Sequence, residues 1–174
     1  MNSLIDKKDK IFIAGHLGMA GASILRSLKK NNYRNLITAE RKELDLTDFS
    51  AVKKWFEINN PDVVIIAAAK VGGIHANNSF PASFLLENLK IQNNLIENSW
   101  LTKVKRLLFL GSSCIYPKFS AQPIKESELL TSSLEPTNQW YALAKISGLK
   151  LCEAFRKQYN FDAIGLMPTN LYGP

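Results

Sequence analysis

The stretch Lys10–Gly21, which reads Lys-Ile-Phe-Ile-Ala-Gly-His-Leu-Gly-Met-Ala-Gly, decides the fold. Its apolar start is typical of a buried strand, and Gly15, Gly18 and Gly21 follow at regular spacing before a helical pattern over 20–30. A glycine turn between a parallel strand and a helix directs free backbone N–H groups at an anion. The stretch therefore predicts a strand–turn–helix unit that binds a pyrophosphate. The same glycines also suit an ordinary tight turn without a ligand.

Composition restricts the class of protein. The chain has 174 residues, 46% of them hydrophobic and 21% charged, which predicts one globular domain over residues 1–174. Its apolar runs are shorter than the roughly 18 residues of a membrane-spanning helix, so we expect a cytoplasmic protein without a membrane partner. The net charge of +7 is dispersed in short lysine pairs, without a nucleic-acid-binding motif. We therefore expect no nucleic-acid partner and a mild preference for phosphorylated ligands.

The rest of the chain alternates strands and helices. Further strands are predicted at 35–39, 63–67, 105–110 and 163–167, and further helices at 49–58, 81–100 and 138–159. Thr47 or Asp48 can cap the helix at 49–58. The polar segment 118–136 is typical of a long surface loop. This order predicts an α/β fold with a Rossmann-like, doubly wound parallel sheet.

Glu40 and Arg41 follow the second predicted strand, about 20 residues beyond the glycines. An acid at this position accepts the ribose hydroxyl of NAD, whereas an arginine accommodates the extra phosphate of NADP. Arg41 and Lys42 together offer two cations and favour NADP(H), while Glu40 leaves NAD open. All three residues are also compatible with a solvated loop.

The segment 68–74 consists largely of small residues and follows the third predicted strand, at the sheet edge where α/β folds bind ligands. His75, in the same predicted loop, has no second ligand at metal-binding spacing. Cys114 and Cys152 are the only cysteines and form no Cys-x-x-Cys pair. We therefore expect no metal site and no disulfide framework.

Four side chains suggest carbonyl chemistry. Ser112 and Cys114 follow the fourth predicted strand, and Tyr141 and Lys145 are four residues apart on one helix face. Because an ammonium favours the ionised form of a nearby phenol, Tyr141 can exchange a proton with a carbonyl oxygen while Ser112 holds that oxygen. Alternatively, Tyr141 is a half-buried packing residue and Lys145 lies in water.

The glycine loop, Ser112 and the sequence Tyr-Ala-Leu-Ala-Lys at 141–145 resemble the extended short-chain dehydrogenase/reductase family. The longer stretches 67–74, 111–117 and 167–174 are similar to a narrower family, the GDP-L-fucose synthases. The resemblance covers nearly the whole chain. It implies NADPH-dependent conversion of GDP-4-keto-6-deoxy-D-mannose to GDP-L-fucose, by epimerisation at C3 and C5 and then reduction at C4.

By this resemblance, Tyr141 exchanges the proton at the C4 oxygen, and Lys145 binds the nicotinamide ribose and lowers the pKa of the tyrosine. Ser112 orients the keto oxygen. Cys114 is an acid/base in epimerisation, for which a depressed pKa would supply a thiolate near neutral pH. Without the resemblance, Cys114 is interpreted as a small buried apolar side chain, and this remains the interpretation of Cys152.

The resemblance also implies a set of cofactor contacts, which are Gly15, His16, Leu17, Gly18, Met19, Ala20, Gly21, Arg41, Leu110, Gly111, Ser112, Ser113, Lys145, Pro168, Thr169, Asn170 and Leu171. Leu17 stands where the family commonly has an arginine, which removes one cation near the NADP phosphate. The family's second acid/base, a histidine, and its substrate-binding part fall outside residues 1–174.

The resemblance further implies a homodimer built on the helices that begin near Pro81 and Asn138. Two alternatives stay open: another nucleotide-sugar epimerase or dehydratase, and an inert NAD(P)-binding domain.

Overall fold

The computed structural model describes residues 5–173. A parallel sheet forms its centre, with the strands β1 Ile11–Ala14, β2 Leu36–Ile37, β3 Val63–Ile66, β4 Arg106–Leu110 and β5 Ala163–Leu166. Their spatial order is β2-β1-β3-β4-β5. The connections from β1 to β2 and from β2 to β3 lead to opposite sides of β1, so a crevice opens at the carboxyl ends of β1 and β3.

Helices cover both faces of this sheet, which confirms the predicted doubly wound fold. They are α1 Met19–Lys30, α2 Phe49–Asn59, α3 Ile74–Ser79, α4 Pro81–Leu101 and α5 Gln139–Tyr159, with short 3-10 turns at Ser113–Ile115 and Glu126–Glu128. The prediction that His75 lies in a loop is wrong, because His75 belongs to the short helix α3. The His75 side chain is exposed.

The alternation of side chains along β1 connects the two halves of the core. Ile11 and Ile13 pack on the face covered by α1, against Ile24 and Leu28. Phe12 points to the opposite face, where it packs with the aromatic residues of α2 and the core residues of α4. Because both faces are covered, every residue of β1 is buried, which explains its uninterrupted apolar sequence.

The N-terminus of α2 is capped by the second of the two predicted residues. The Asp48 carboxylate accepts a hydrogen bond from the Ala51 N–H at 3.0 Å. Thr47 instead donates its hydroxyl to Asp45 at 2.8 Å. This second bond holds the turn before α2 in shape.

The buried face of α4 is more polar than its sequence pattern predicts. Phe84, Leu95 and Ile96 are buried as expected, whereas Leu85, Leu89 and Ile91 are only partly buried. Five polar side chains are buried with the apolar ones, namely Asn88, Gln92, Asn94, Asn98 and Ser99. Helices on two sides of α4 leave these side chains no route to water, so they bond to backbone carbonyls, as Gln92 does to Ala144 O at 2.7 Å.

The segment 116–137 contains no α-helix or strand and is largely exposed, which confirms the predicted long loop. Its two ends are joined at Lys118. The Lys118 N–H donates to Ser133 O at 3.0 Å, and the Lys118 ammonium pairs with Glu135 at 2.8 Å. Among residues 5–173, none of the helices combines the length and apolar character needed to cross a membrane.

The close packing of α1 on the glycine loop gives the first prediction. A Cβ atom at Gly21 would lie 2.2 Å from Gly15 O, whereas one at Gly18 would lie 3.4 Å from that oxygen. We expect Gly21→Ala to lower the free energy of unfolding by about 1–3 kcal/mol. Gly18→Ala, the matched control, should cost less than about 1 kcal/mol. Chemical denaturation measures both, and equal costs would contradict the packing argument.

Candidate functional site

A cleft of about 590 Å³ opens at the carboxyl edge of the sheet, beyond the ends of β1 and β3. It is lined by the glycine loop, the turn after β2 and the residues after β3. Residues from α4 and α5, the end of β4 and the segment after β5 complete the lining. Its volume falls within the roughly 300–1,000 Å³ of small-molecule sites. Ligands of open α/β folds bind at such a switch point.

The glycine loop lies against the residues that follow β3. Gly15 has a φ of +87°, and a Cβ atom there would lie 2.6 Å from Ala68 N. The two segments therefore meet backbone to backbone. At the end of the loop, Gly18 begins α1 without a side-chain cap, and the first turn of the helix carries no acidic residue. The positive end of α1 and its free N–H groups are suited to an anion.

His16 supplies a further sign of a polar ligand. It lines the cleft, and its Nδ1 atom is buried without a hydrogen-bond partner in the described part of the chain. A buried polar atom without a partner costs about 1–3 kcal/mol. A ligand that bonds to His16 would remove that cost. The bare glycine turn, the uncapped helix and this nitrogen together fit the pyrophosphate of a dinucleotide.

The turn after β2 carries mixed charge. Glu40 and Arg41 line the cleft with Asp45, whereas Lys42 does not line it and pairs with Glu40 at 3.0 Å. Hydrogen bonds from Thr47 lower the pKa of Asp45, and the charge of Arg41 contributes to the same shift. The expected pair of cations is therefore reduced to Arg41. Leu17, which is 73% exposed, lines the same cleft with an apolar side chain.

Tyr141 and Lys145 reach the cleft from α5. Lys145 is only 4% exposed, and its Nζ atom donates to Leu110 O at 2.7 Å. The same atom lies 5.7 Å from the centre of the Tyr141 ring. The alternative that Lys145 lies in water is therefore wrong. The half-buried phenol and the ammonium share one end of the cleft.

Burial dominates the electrostatics of this pair. It raises the pKa of Tyr141 to about 12, and the nearby Cys114 contributes to the same shift. Burial lowers the pKa of Lys145 to about 8, against the effect of Cys114. The expected lowering of the Tyr141 pKa by Lys145 is therefore outweighed by burial in this structure. The phenol remains protonated at neutral pH.

Ser112 and Cys114 lie next to this pair, at the 3-10 turn after β4. The Ser112 hydroxyl caps the turn and accepts a hydrogen bond from the Cys114 N–H at 3.4 Å. Burial raises the pKa of the Cys114 thiol, although a hydrogen bond with Ser112 and the charge of Lys145 offset part of this shift. The condition for a Cys114 thiolate near neutral pH, a depressed pKa, is therefore not met in this structure.

Most of the predicted cofactor residues line the cleft. These are Gly15, His16, Leu17, Gly18, Met19, Ala20, Arg41, Leu110, Gly111, Lys145, Pro168 and Leu171. The predicted residues outside its lining are Gly21, Ser112, Ser113, Thr169 and Asn170. Sequence reasoning missed Leu44–Thr47, whose position after the second strand was an available signal, and also Glu87 and Ile91, which α4 brings to the cleft.

Within residues 5–173, no three His, Cys, Asp or Glu side chains are close enough to hold a metal ion. Cys152 is buried in the core among apolar residues. Burial raises the pKa of its thiol to about 12, so it is a packing residue, as predicted.

A doubly wound parallel sheet with a glycine-lined cleft at its switch point defines a Rossmann-like, dinucleotide-binding class of protein. Comparison with protein-family models gives the narrower assignment. Residues 11–174 match the NAD dependent epimerase/dehydratase family, and the chain belongs to it.

The chain is similar to several enzymes of nucleotide-sugar metabolism. It is 57% identical over 174 residues to GDP-L-fucose synthase 1 of Arabidopsis thaliana, covering 100% of this chain and 54% of that protein. A GDP-mannoheptose C4 reductase from Campylobacter jejuni with NADP bound shares 40% identity and a TM-score of 0.94, over 97% of this chain and 53% of its own. A GDP-L-fucose synthetase from Naegleria fowleri bound to NADP shares 30% identity and a TM-score of 0.87, over 98% and 56%. The chain thus spans about half the length of these relatives.

The buried ammonium of Lys145 predicts a pH-dependent stability. Its pKa is about 8 in the folded chain, against an ordinary value of 10.5, so the unfolded chain binds more protons between these values. The loss of unfolding free energy caused by the buried charge is therefore fully present below pH 8 and disappears as pH rises from about 8 to 10.5. Over this range we expect the wild type to gain up to about 3 kcal/mol of unfolding free energy relative to Lys145→Met.

Denaturation at several pH values measures this difference. Lys150→Met, at an exposed lysine on the same helix, is the matched control and should show no such gain. A pH-independent difference between the wild type and Lys145→Met would contradict the buried charge.

Proposed function

We propose that this chain is the cofactor-binding part of an NADPH-dependent GDP-L-fucose synthase. Such an enzyme converts GDP-4-keto-6-deoxy-D-mannose to GDP-L-fucose by epimerisation at C3 and C5 and reduction at C4. The observation that carries the proposal is that Tyr141 and Lys145 lie in one cleft with the glycine loop. The 57% identity to GDP-L-fucose synthase 1 supports it. Residues 1–174 would form the dinucleotide-binding domain, with the sugar-nucleotide-binding part outside them.

The proposed cofactor is NADP(H), which two relatives hold in their solved structures. The glycine loop and the N-terminus of α1 would hold the pyrophosphate, and Arg41 the 2′-phosphate. Leu110, Gly111, Lys145 and the residues 168–171 would surround the nicotinamide end. When bound, NADPH supplies the hydride for the C4 carbonyl.

In the reduction, Tyr141 gives its proton to the C4 oxygen. A pKa of about 12 keeps the phenol protonated at neutral pH until the developing negative charge on the oxygen draws the proton away. Lys145, held by its bond to Leu110 O, then stabilises the phenolate that remains. Ser112 donates its hydroxyl to the same keto oxygen.

In the epimerisation, Cys114 acts as the acid that returns a proton to the carbon after a base has removed one. The ketone makes the protons on C3 and C5 acidic, so each inversion needs one group to remove a proton and another to return one from the opposite face. The raised pKa of Cys114 keeps its thiol protonated, which suits the return step. The removing base would be the histidine that the family resemblance implies outside these residues.

The proposed partners are a GDP-sugar substrate and a second copy of the chain. A homodimer built on α4 and α5 is supported by exposed apolar side chains on these helices, namely Leu86, Trp140 and Leu143. Light scattering would test it, and a monomer would contradict it. A cytoplasmic location suits the free thiol of Cys114, which a reducing compartment protects; recovery in a membrane or secreted fraction would contradict that location.

The proposed activity predicts that the purified full-length enzyme, with the sugar-nucleotide-binding part present, oxidises NADPH in the presence of GDP-4-keto-6-deoxy-D-mannose. We expect Tyr141→Phe to lower kcat by about 10²–10⁴-fold, because the proton donor is lost, with NADPH affinity retained. Tyr159→Phe, at an exposed tyrosine of α5, is the matched control. Absorbance at 340 nm follows the reaction.

Other outcomes of this assay point elsewhere. Turnover with NAD retained and no net oxidation would indicate another nucleotide-sugar epimerase or dehydratase. Cofactor binding without turnover of any such sugar would indicate an inert NAD(P)-binding domain.

The proposed role of Arg41 predicts a change in cofactor preference. Arg41→Ala should raise the KM for NADPH about 10- to 100-fold, because a charged hydrogen bond to the 2′-phosphate is lost. The KM for NADH should change less than about twofold, because NADH lacks that phosphate. Arg34→Ala removes an exposed arginine elsewhere and is the control. Equal effects on the two cofactors would show that Arg41 does not bind the phosphate.

A further inference from the structure

Two adjacent residues of α4 hold one residue of the cleft. Residues 67–70 follow β3 and line the cleft, and we call them the wall segment. Lys70 is the last residue of this segment. Asn88 binds the main chain of Lys70, and Glu87 binds its side chain. We refer to Lys70, Glu87 and Asn88 as the Lys70 clamp.

The main-chain part of the clamp uses the whole Asn88 amide. Its Oδ1 atom accepts from the Lys70 N–H at 2.8 Å, and its Nδ2 atom donates to Lys70 O at 3.0 Å and to Phe84 O at 2.7 Å. Asn88 is 2% exposed, so water does not compete for these bonds. By bonding to both the N–H and the C=O of Lys70, Asn88 replaces the neighbouring strand that this residue lacks beyond the end of β3.

The side-chain part of the clamp is an ion pair inside the cleft. The Lys70 ammonium donates to the Glu87 carboxylate, and both residues line the cleft with side chains about one-third exposed (32% and 31%). An unpaired Glu87 carboxylate would repel an anionic ligand bound in the same cleft. Lys70 cancels that charge, so the α4 side of the cleft is close to neutral.

The glycine loop packs directly against the wall segment. A Cβ atom at Gly15 would lie 2.6 Å from Ala68 N and 2.7 Å from Ala68 Cα. With no side chain between the two backbones, movement of the wall segment changes the position of the loop directly. Asn88 bonds to Lys70, which is two residues after Ala68. These bonds therefore help to fix the position of the loop that would hold a pyrophosphate.

We propose that Asn88 and Glu87 are positioning residues for dinucleotide binding. Asn88 holds the wall segment against the glycine loop, and the Lys70–Glu87 pair keeps the α4 side of the cleft uncharged. Neither residue acts on the reacting atoms. The proposal rests on the proposed cofactor site, and it goes beyond it by assigning part of the cofactor affinity to α4.

The main-chain part is tested by comparing Asn88→Ala with Asn98→Ala. Asn98 is a matched control, because its fully buried amide lies on the same helix and donates to Asn94 O of α4. We expect amide hydrogen exchange of residues 67–71 to become about tenfold faster in Asn88→Ala and to stay unchanged in Asn98→Ala. The Kd for NADPH should rise about tenfold in Asn88→Ala and less than twofold in Asn98→Ala. Both variants should lower Tm, Asn88→Ala by more, because its amide makes three of these bonds and that of Asn98 one.

The charge part is tested with Lys70→Met, Glu87→Gln and the double variant. Lys70→Met leaves Glu87 unpaired, so the Kd for NADPH should rise about tenfold and this loss should shrink as salt is added. The double variant removes both charges and should bind within about threefold of the wild type. Glu87→Gln alone should bind as well as the wild type or more tightly.

The outcomes separate this proposal from the proposed function. Unchanged exchange of residues 67–71 in Asn88→Ala, or equal loss of NADPH affinity in Asn98→Ala, would overturn the main-chain part. A double variant as weak as Lys70→Met would overturn the charge part. If the wild type does not bind NADPH, the proposed cofactor is wrong, and the exchange comparison still decides whether Asn88 holds the wall segment.

Discussion

The structure depends on a contact between two backbones. Gly15, at the end of β1, leaves no room for a side chain against Ala68, and Gly21 leaves none against Gly15 O. These contacts bring the strand, the glycine loop and α1 together at the switch point, where the order of the strands reverses. An anion-binding turn beside a crevice follows from them, because α1 begins there without a side-chain cap. The remaining parts of the cleft are placed relative to this turn.

Burial determines the chemistry of the other end of the cleft. Lys145 is a buried residue of α5 whose ammonium bonds to a main-chain carbonyl. Desolvation lowers its pKa and raises those of Tyr141 and Cys114. The apolar environment thus keeps the Tyr141 phenol and the Cys114 thiol uncharged at neutral pH, whereas Lys145, with a pKa of about 8, remains an ammonium. Such a site favours proton donation to an oxygen as negative charge develops there. The proposed reduction at C4 uses this property.

The order of strands and helices could be predicted because each element carries its own local pattern. The continuous apolar residues of β3 and the acidic cap of α2 are examples. The buried amides of α4 could not, because Asn88 or Gln92 differs from a solvated residue only in what packs around it. Glu87 was missed as a cleft residue for the same reason. Helix α3 was missed because six residues after two glycines give no clear periodicity.

The sequence by itself determined the fold class and the family, and it indicated the glycine loop with the Tyr141–Lys145 pair, because these depend on local spacing along the chain. The tertiary structure decided the pKa values of that pair and the bond from Asn88 of α4 to Lys70. It also decided that, of the two expected cations, Arg41 lines the cleft and Lys42 does not. Each of these depends on desolvation or on contacts between residues far apart in sequence. Spacing along a chain does not specify how deeply a charge is buried or which distant side chain bonds to a given stretch of backbone.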